Sequence, residues 1–96
     1  MTEVTANDTE RLLAAFKTWA GVDADPDPVT VKFYDDGKKQ IGSTITLTIA
    51  LNRDSVGNWH YDYTIPMVTG SIWVEFSGTL EGQVITPARA ELKVSW

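Results

Sequence analysis

The sequence predicts an all-β fold, an antiparallel sandwich of about seven short strands. Three observations carry that prediction. From Val29 onward, apolar and polar residues alternate with a period of two. The alternating runs break at turn chemistry, "DDGK" at 35–38 and "LEGQ" at 80–83. The runs are short and fairly evenly spaced, as in sandwiches whose sheets each keep one wet face.

The elements follow in order. Val29, Val31 and Phe33 alternate with Thr30, Lys32 and Tyr34. Ile45, Leu47 and Ile49 alternate with Thr44, Thr46 and Thr48. Threonine is β-branched with a polar tip, so it suits a solvated strand face. Residues 52–58, "NRDSVGN", read as a loop. Trp59, Tyr61 and Tyr63 share one face of the next strand, with His60, Asp62 and Thr64 on the other. Pro66 lacks a ladder N–H and closes that strand. Ile72, Val74 and Phe76 then oppose Trp73, Glu75 and Ser77. At "LEGQ", Gly82 can take the positive φ that a hairpin turn requires. Ala90, Leu92 and Val94 face one way, and Arg89, Glu91, Lys93 and Ser95 the other.

Residues 7–21, "NDTERLLAAFKTWAG", dispute a purely β reading. Leu12, Ala15, Phe16 and Trp19 fall at helical spacing, Asp8 or Thr9 can cap, and Gly21 can terminate. As a strand, the segment turns Leu12, Ala14 and Phe16 inward and leaves Leu13, Ala15 and Lys17 outside. That exposes more apolar surface, so local propensity favours a helix at 9–19 on the same sandwich. Residues 1–8 read as a flexible leader, and 9–96 as the sandwich domain.

Composition bounds the function. Ninety-six residues make one domain with one core. Thirteen acids against eight bases give a net charge of −5, which argues against binding a nucleic-acid backbone. With no cysteine there is no disulfide, no thiolate nucleophile and no cysteine-based zinc site. The acidic start "MTEVTANDTE" does not read as a signal peptide. No apolar run approaches the ~20 residues of a membrane helix.

The segments "RLLAAFKTWAG", "DADPDPVTVKFYDDGK", "GNWHYDYTIP", "GSIWVEFSGTLEG" and "ARAELKVSW" occur in that order. On those segments the chain from about Thr9 resembles a family of small immunoglobulin-like domains encoded among tailed-phage and prophage virion genes. The resemblance implies an immunoglobulin-like sandwich, a strand rather than a helix over residues 11–19, and a role as a virion structural protein. Two features depart from the pattern: the compact "PMVTGS" and the terminal Trp96. The buried cysteine pair of antibody domains is absent, so antibody-like recognition is not implied.

Candidate sites are few. His60 and Asp62 share one strand face, where a carboxylate can orient a histidine base. No serine stands in a nucleophile-elbow context, so the plainer reading is a solvated polar patch. Asp23, Asp25 and Asp27 alternate through "VDADPDP", with Asp35 and Asp36 beyond, and calcium prefers such oxygens. The segment lacks the glycine and glutamate of an EF-hand, and Pro26 and Pro28 make it an extended connector. No metal or cofactor is expected. Trp59, Tyr61 and Tyr63 are expected in the core. Strand parity turns Trp73 outward, and Trp19 outward if Phe16 is inward. Trp19, Trp73 and Trp96 are therefore the candidate protein-contact residues.

The candidate sites read as non-enzymatic, and the resemblance implies a domain made in the bacterial cytoplasm and resident in the virion. A capsid decoration or head-fibre role is expected, docking on capsid or other virion subunits, with a small homo-oligomer as a further arrangement. A neck or tail accessory is one rival. A carbohydrate- or host-surface-binding module is another, with aromatics stacked on sugar rings. A carboxylate enzyme needs converging acids, whereas Asp62, Glu75 and Glu91 scatter over wet faces.

Overall fold

The computed structural model describes residues 2–68, 70–86 and 89–95. Within them the chain forms nine strands and one short helix. These are β1 (Thr2–Thr5), β2 (Thr9–Ala15), β3 (Val29–Tyr34), β4 (Gln40–Leu47), α1 (Ile49–Asn52), β5 (Arg53–Ser55), β6 (Asn58–Thr64), β7 (Ser71–Leu80), β8 (Gln83–Ile85) and β9 (Arg89–Ser95). One sheet of six strands has the order β1-β9-β7-β3-β4, with β8 pairing β7 beside β9. The other has three strands in the order β2-β6-β5. The two sheets face each other across one core, as in a sandwich.

Alternation builds that core. Val29, Val31 and Phe33 of β3, Ile72, Val74 and Phe76 of β7, and Leu92 and Val94 of β9 are all buried from the large sheet. Ala14 of β2, Phe16 just beyond it and Trp59 of β6 are buried opposite them. Tyr61 and Tyr63 pack half-buried on the same core. Tyr63 stacks on Phe33 with ring centroids 3.8 Å apart and planes 13° from parallel, which joins the sheets directly.

The chain departs from its sequence-based reading in five places. First, residues 9–15 are the strand that the resemblance implies, not the helix that local propensity favours, and the strand stops at Ala15 rather than running to 19. Pairing with β6 turns Leu12, Ala14 and Phe16 toward the core and leaves Leu13 70% exposed. A short helix of the same residues would forgo the ladder with β6, so tertiary pairing overrides local propensity. Second, the expected leader contains β1, which lies parallel to β9 and buries Val4 to 3% exposure. Asn7 takes φ 71°, which lets the chain leave one sheet and enter the other. Third, the strand count is nine and the larger sheet is mixed, because β1 pairs in parallel. Fourth, β4 ends at Leu47. Asn52 Oδ1 accepts from the Thr48 N–H, α1 begins, and Ile49 and Leu51 lie exposed. Fifth, the loop at 52–58 contains β5, which pairs with β6.

The turns match their residues. β7 and β8 are joined by Glu81 and Gly82 alone, both at positive φ, 51° and 77°. That is the type I′ geometry whose twist suits a two-residue hairpin. At the β3–β4 turn, Asp35 Oδ1 accepts from the Lys39 N–H and Lys38 takes φ 65°. Gly57, at φ 79°, is required by proximity as well as conformation. A Cβ there would lie 2.6 Å from the Phe16 carbonyl oxygen.

Candidate functional site

The polar groups singled out in the sequence are engaged separately. His60 Nδ1 lies 2.8 Å from Asp54 Oδ1, not on Asp62. Asp62 instead takes a two-pronged contact from Arg11, Nε at 2.8 Å and Nη2 at 3.0 Å. The Arg11 hydrogen bonds hold the Asp62 carboxyl below its ordinary pKa, and the same contact raises that of Arg11. The outer face of the small sheet thus carries the Arg11–Asp62 ion pair and the His60–Asp54 hydrogen bond, with no His60–Asp62 dyad.

The alternating aspartates diverge. Asp23 pairs with Lys17 at 2.8 Å. Asp25 accepts from the Gly57 N–H at 2.7 Å, and its other oxygen lies 3.0 Å from Arg53 Nε. That last pair is close enough for charge attraction but not aligned as a hydrogen bond, leaving Arg53 Nε without one. Asp27 donates its backbone N–H to Thr79, and the connector then crosses Gly78, where Pro26 packs. Among the described residues no three carboxylate or histidine groups converge as a metal site.

The aromatic residues separate by place. Trp59 is buried, and its indole N–H has no acceptor among the described residues. Tyr63 is held protonated to higher pH than usual, first by burial and then by the neighbouring Tyr61. Trp19 is 92% exposed. It sits at the tip of a miniature hairpin over residues 17–23, set by a bridge between Lys17 and Asp23 and a Thr18–Val22 backbone bond. The Gly21 N–H donates to the Thr18 carbonyl, closing the tip. Val22 is exposed beside it. A depression runs from Trp19 to the β7–β8 turn, lined by Thr18, Leu80, Glu81, Gln83 and Ile85. Trp96 lies outside the described residues.

Trp73 points outward from the large sheet, as parity requires, but is half-buried rather than bare. It stands between Tyr34 on β3 and Glu91 on β9. One register step along, Glu75 stands between Lys32 and Arg89 and forms an ion pair with Arg89. Glu91 accepts from the Ser71 hydroxyl at 2.6 Å. Tyr34, Lys38, Trp73, Glu75 and Arg89 enclose an open depression of about 360 Å³. Sequence parity found Trp73, but not Tyr34 and Lys38 beside it. Their juxtaposition depends on the β3–β7 register and the β3–β4 turn, which no local pattern encodes.

Comparisons with family models, curated proteins and solved structures found no match for this chain.

Proposed function

We propose that this domain is a non-enzymatic structural protein of a tailed-phage or prophage virion, of capsid-decoration or head-fibre type. It docks on a larger particle through protein–protein contacts. A neck or tail accessory is the alternative location. The finer fold belongs to the same proposal: an immunoglobulin-like sandwich of the variable type. What supports it is strand order. The succession β9-β7-β3-β4 opposite β2-β6-β5 corresponds to a G-F-C-C′ sheet opposite B-E-D. The parallel β1 adds an edge beside the last strand.

The observation that carries the docking reading is Trp19. A tryptophan 92% exposed on a hydrogen-bonded hairpin has no evident role within its own fold. Indole is the side chain most enriched in binding hot spots, and a fixed hairpin presents it with little entropy left to lose. Trp73 offers a second contact, broader and more polar.

The test is to probe purified virions of a producing phage with gold-labelled antibody against the domain. Label spread over the head supports decoration or a fibre. Label at one vertex or along the tail supports the accessory role. Intact particles without label overturn the virion reading.

A further inference from the structure

The depression between Tyr34 and Trp73 has the makings of a ligand site distinct from the Trp19 hairpin. Its walls come from two strands and one turn. Tyr34 and Trp73 are register partners on the outer sheet face, and the β3–β4 turn brings Lys38 to the same place. The two rings form no stacked or tilted pair with each other, so their faces are not spent on mutual packing.

The polar groups around the rings are of mixed kind. Glu75 has a side chain only 12% exposed, and Arg89 binds one of its two oxygens. Arg89 spends Nε on that contact and keeps the rest of its guanidinium. The Tyr34 hydroxyl, the Trp73 indole N–H and the Lys38 ammonium make no hydrogen bond to another described residue. The site therefore presents aromatic faces ringed by both donors and acceptors. An apolar ligand would strand those polar groups, and a nucleic-acid backbone would meet Glu75. A sugar suits both: its C–H face packs on indole or phenol while its hydroxyls take the surrounding donors and acceptors.

Charge narrows the class. Arg89 is balanced by Glu75, whereas Lys38 has no acidic partner among the described residues. Lys38 is thus the cation lining the depression that forms no salt bridge with a described residue. We propose that this depression binds a saccharide, with Trp73 and Tyr34 as the stacking surface and Lys38 selecting a carboxylated sugar over its neutral counterpart. The proposal does not depend on the virion reading.

The depression is open, so weak binding is expected, with a dissociation constant of about 1 mM. The test is titration of ¹⁵N-labelled domain with D-glucuronic acid and, separately, D-glucose, each to about 10 mM, ten times that constant. The expected result is a set of shifts confined to the Trp73 indole N–H and the amides around Tyr34, Lys38 and Trp73. Glucuronic acid is expected to bind about threefold tighter than glucose, the scale of one exposed charge pair. Lys38→Gln should erase that preference, so that glucuronic acid binds no tighter than glucose. Trp73→Ala should remove both, and if it fails to fold, the shift map of the native domain stands in its place. No shift with either sugar, shifts centred on Trp19, or equal binding of the two sugars would each overturn the proposal.

Discussion

Phe33 and Tyr63 lie face to face across the sandwich, ring centroids 3.8 Å apart, one from each sheet. Tyr61 adds a tilted contact to Phe33 at 5.9 Å. Phe33 is buried, and the two tyrosines pack half-buried against the same core. Phe33→Ala is expected to destabilise the domain by ~3–5 kcal/mol. A double-mutant cycle of Phe33→Leu with Tyr63→Leu should leave a coupling of ~0.5–1.5 kcal/mol. Urea unfolding followed by fluorescence measures both, and a coupling near zero would mean the rings act only as buried area.

Trp59 contributes area but no hydrogen bond. Its indole N–H is buried without an acceptor among the described residues, a state that itself carries a penalty of ~1–3 kcal/mol. Trp59→Phe removes that orphan donor together with some packing. It should therefore cost less than about 1.5 kcal/mol, whereas Trp59→Ala should cost ~3–5 kcal/mol. A Phe variant as damaging as the Ala variant would point to an acceptor that the indole does reach.

Gly57 is placed where no other residue fits comfortably. Its φ of 79° disfavours a side chain, and a Cβ would meet the Phe16 carbonyl at 2.6 Å. Its N–H also anchors Asp25. Gly57→Ala should destabilise by more than about 1 kcal/mol in thermal or urea melts. Gly82 has a similar φ of 77° but open space around it, so Gly82→Ala should cost less.

Acid and alkali act on different groups. The native Asp62 pKa is lowered, so its contribution to stability is present above the unfolded value of about 4 and is lost as pH falls through the native one. Asp62→Asn should flatten the fall in stability below about pH 4 without changing the alkaline side. The native Tyr63 pKa is raised, so its contribution is present below about pH 10 and is lost as pH rises through the native value. Tyr63→Phe should flatten that alkaline loss. Urea midpoints across pH measure each arm.

Much of this fold was legible from residue order. The parity of β3 and β7, the Glu81-Gly82 turn and the outward Trp73 all follow from period-two alternation and turn chemistry. What was not legible depends on long-range pairing. β2 is written in helix-forming residues and becomes a strand because β6 offers it seven register partners. β1 has one buried apolar residue, Val4, and its place beside β9 could not be read from one valine among three polar positions. β5 is three residues long and bulged, too short to show a period. The partners within the polar patch were not legible for the same reason. His60 and Asp62 do share a face, but cross-strand neighbours Asp54 and Arg11 claim them. The Tyr34–Lys38–Trp73 depression joins residues up to 39 positions apart in sequence and exists only once β3 and β7 pair.

The central claim is that Trp19 anchors this domain to a larger particle. Trp19 contributes little to folding, so Trp19→Ala should leave stability within about 0.5 kcal/mol. The decisive measurement is binding of purified domain, native and Trp19→Ala, to particles of a producing phage from which the domain's gene has been deleted, read by co-sedimentation across concentration. The account predicts that the native domain binds in a saturable manner and that Trp19→Ala weakens binding at least about thirtyfold, a hot-spot loss of ~2 kcal/mol. Equal binding of the two forms, or no binding of the native domain, would contradict it.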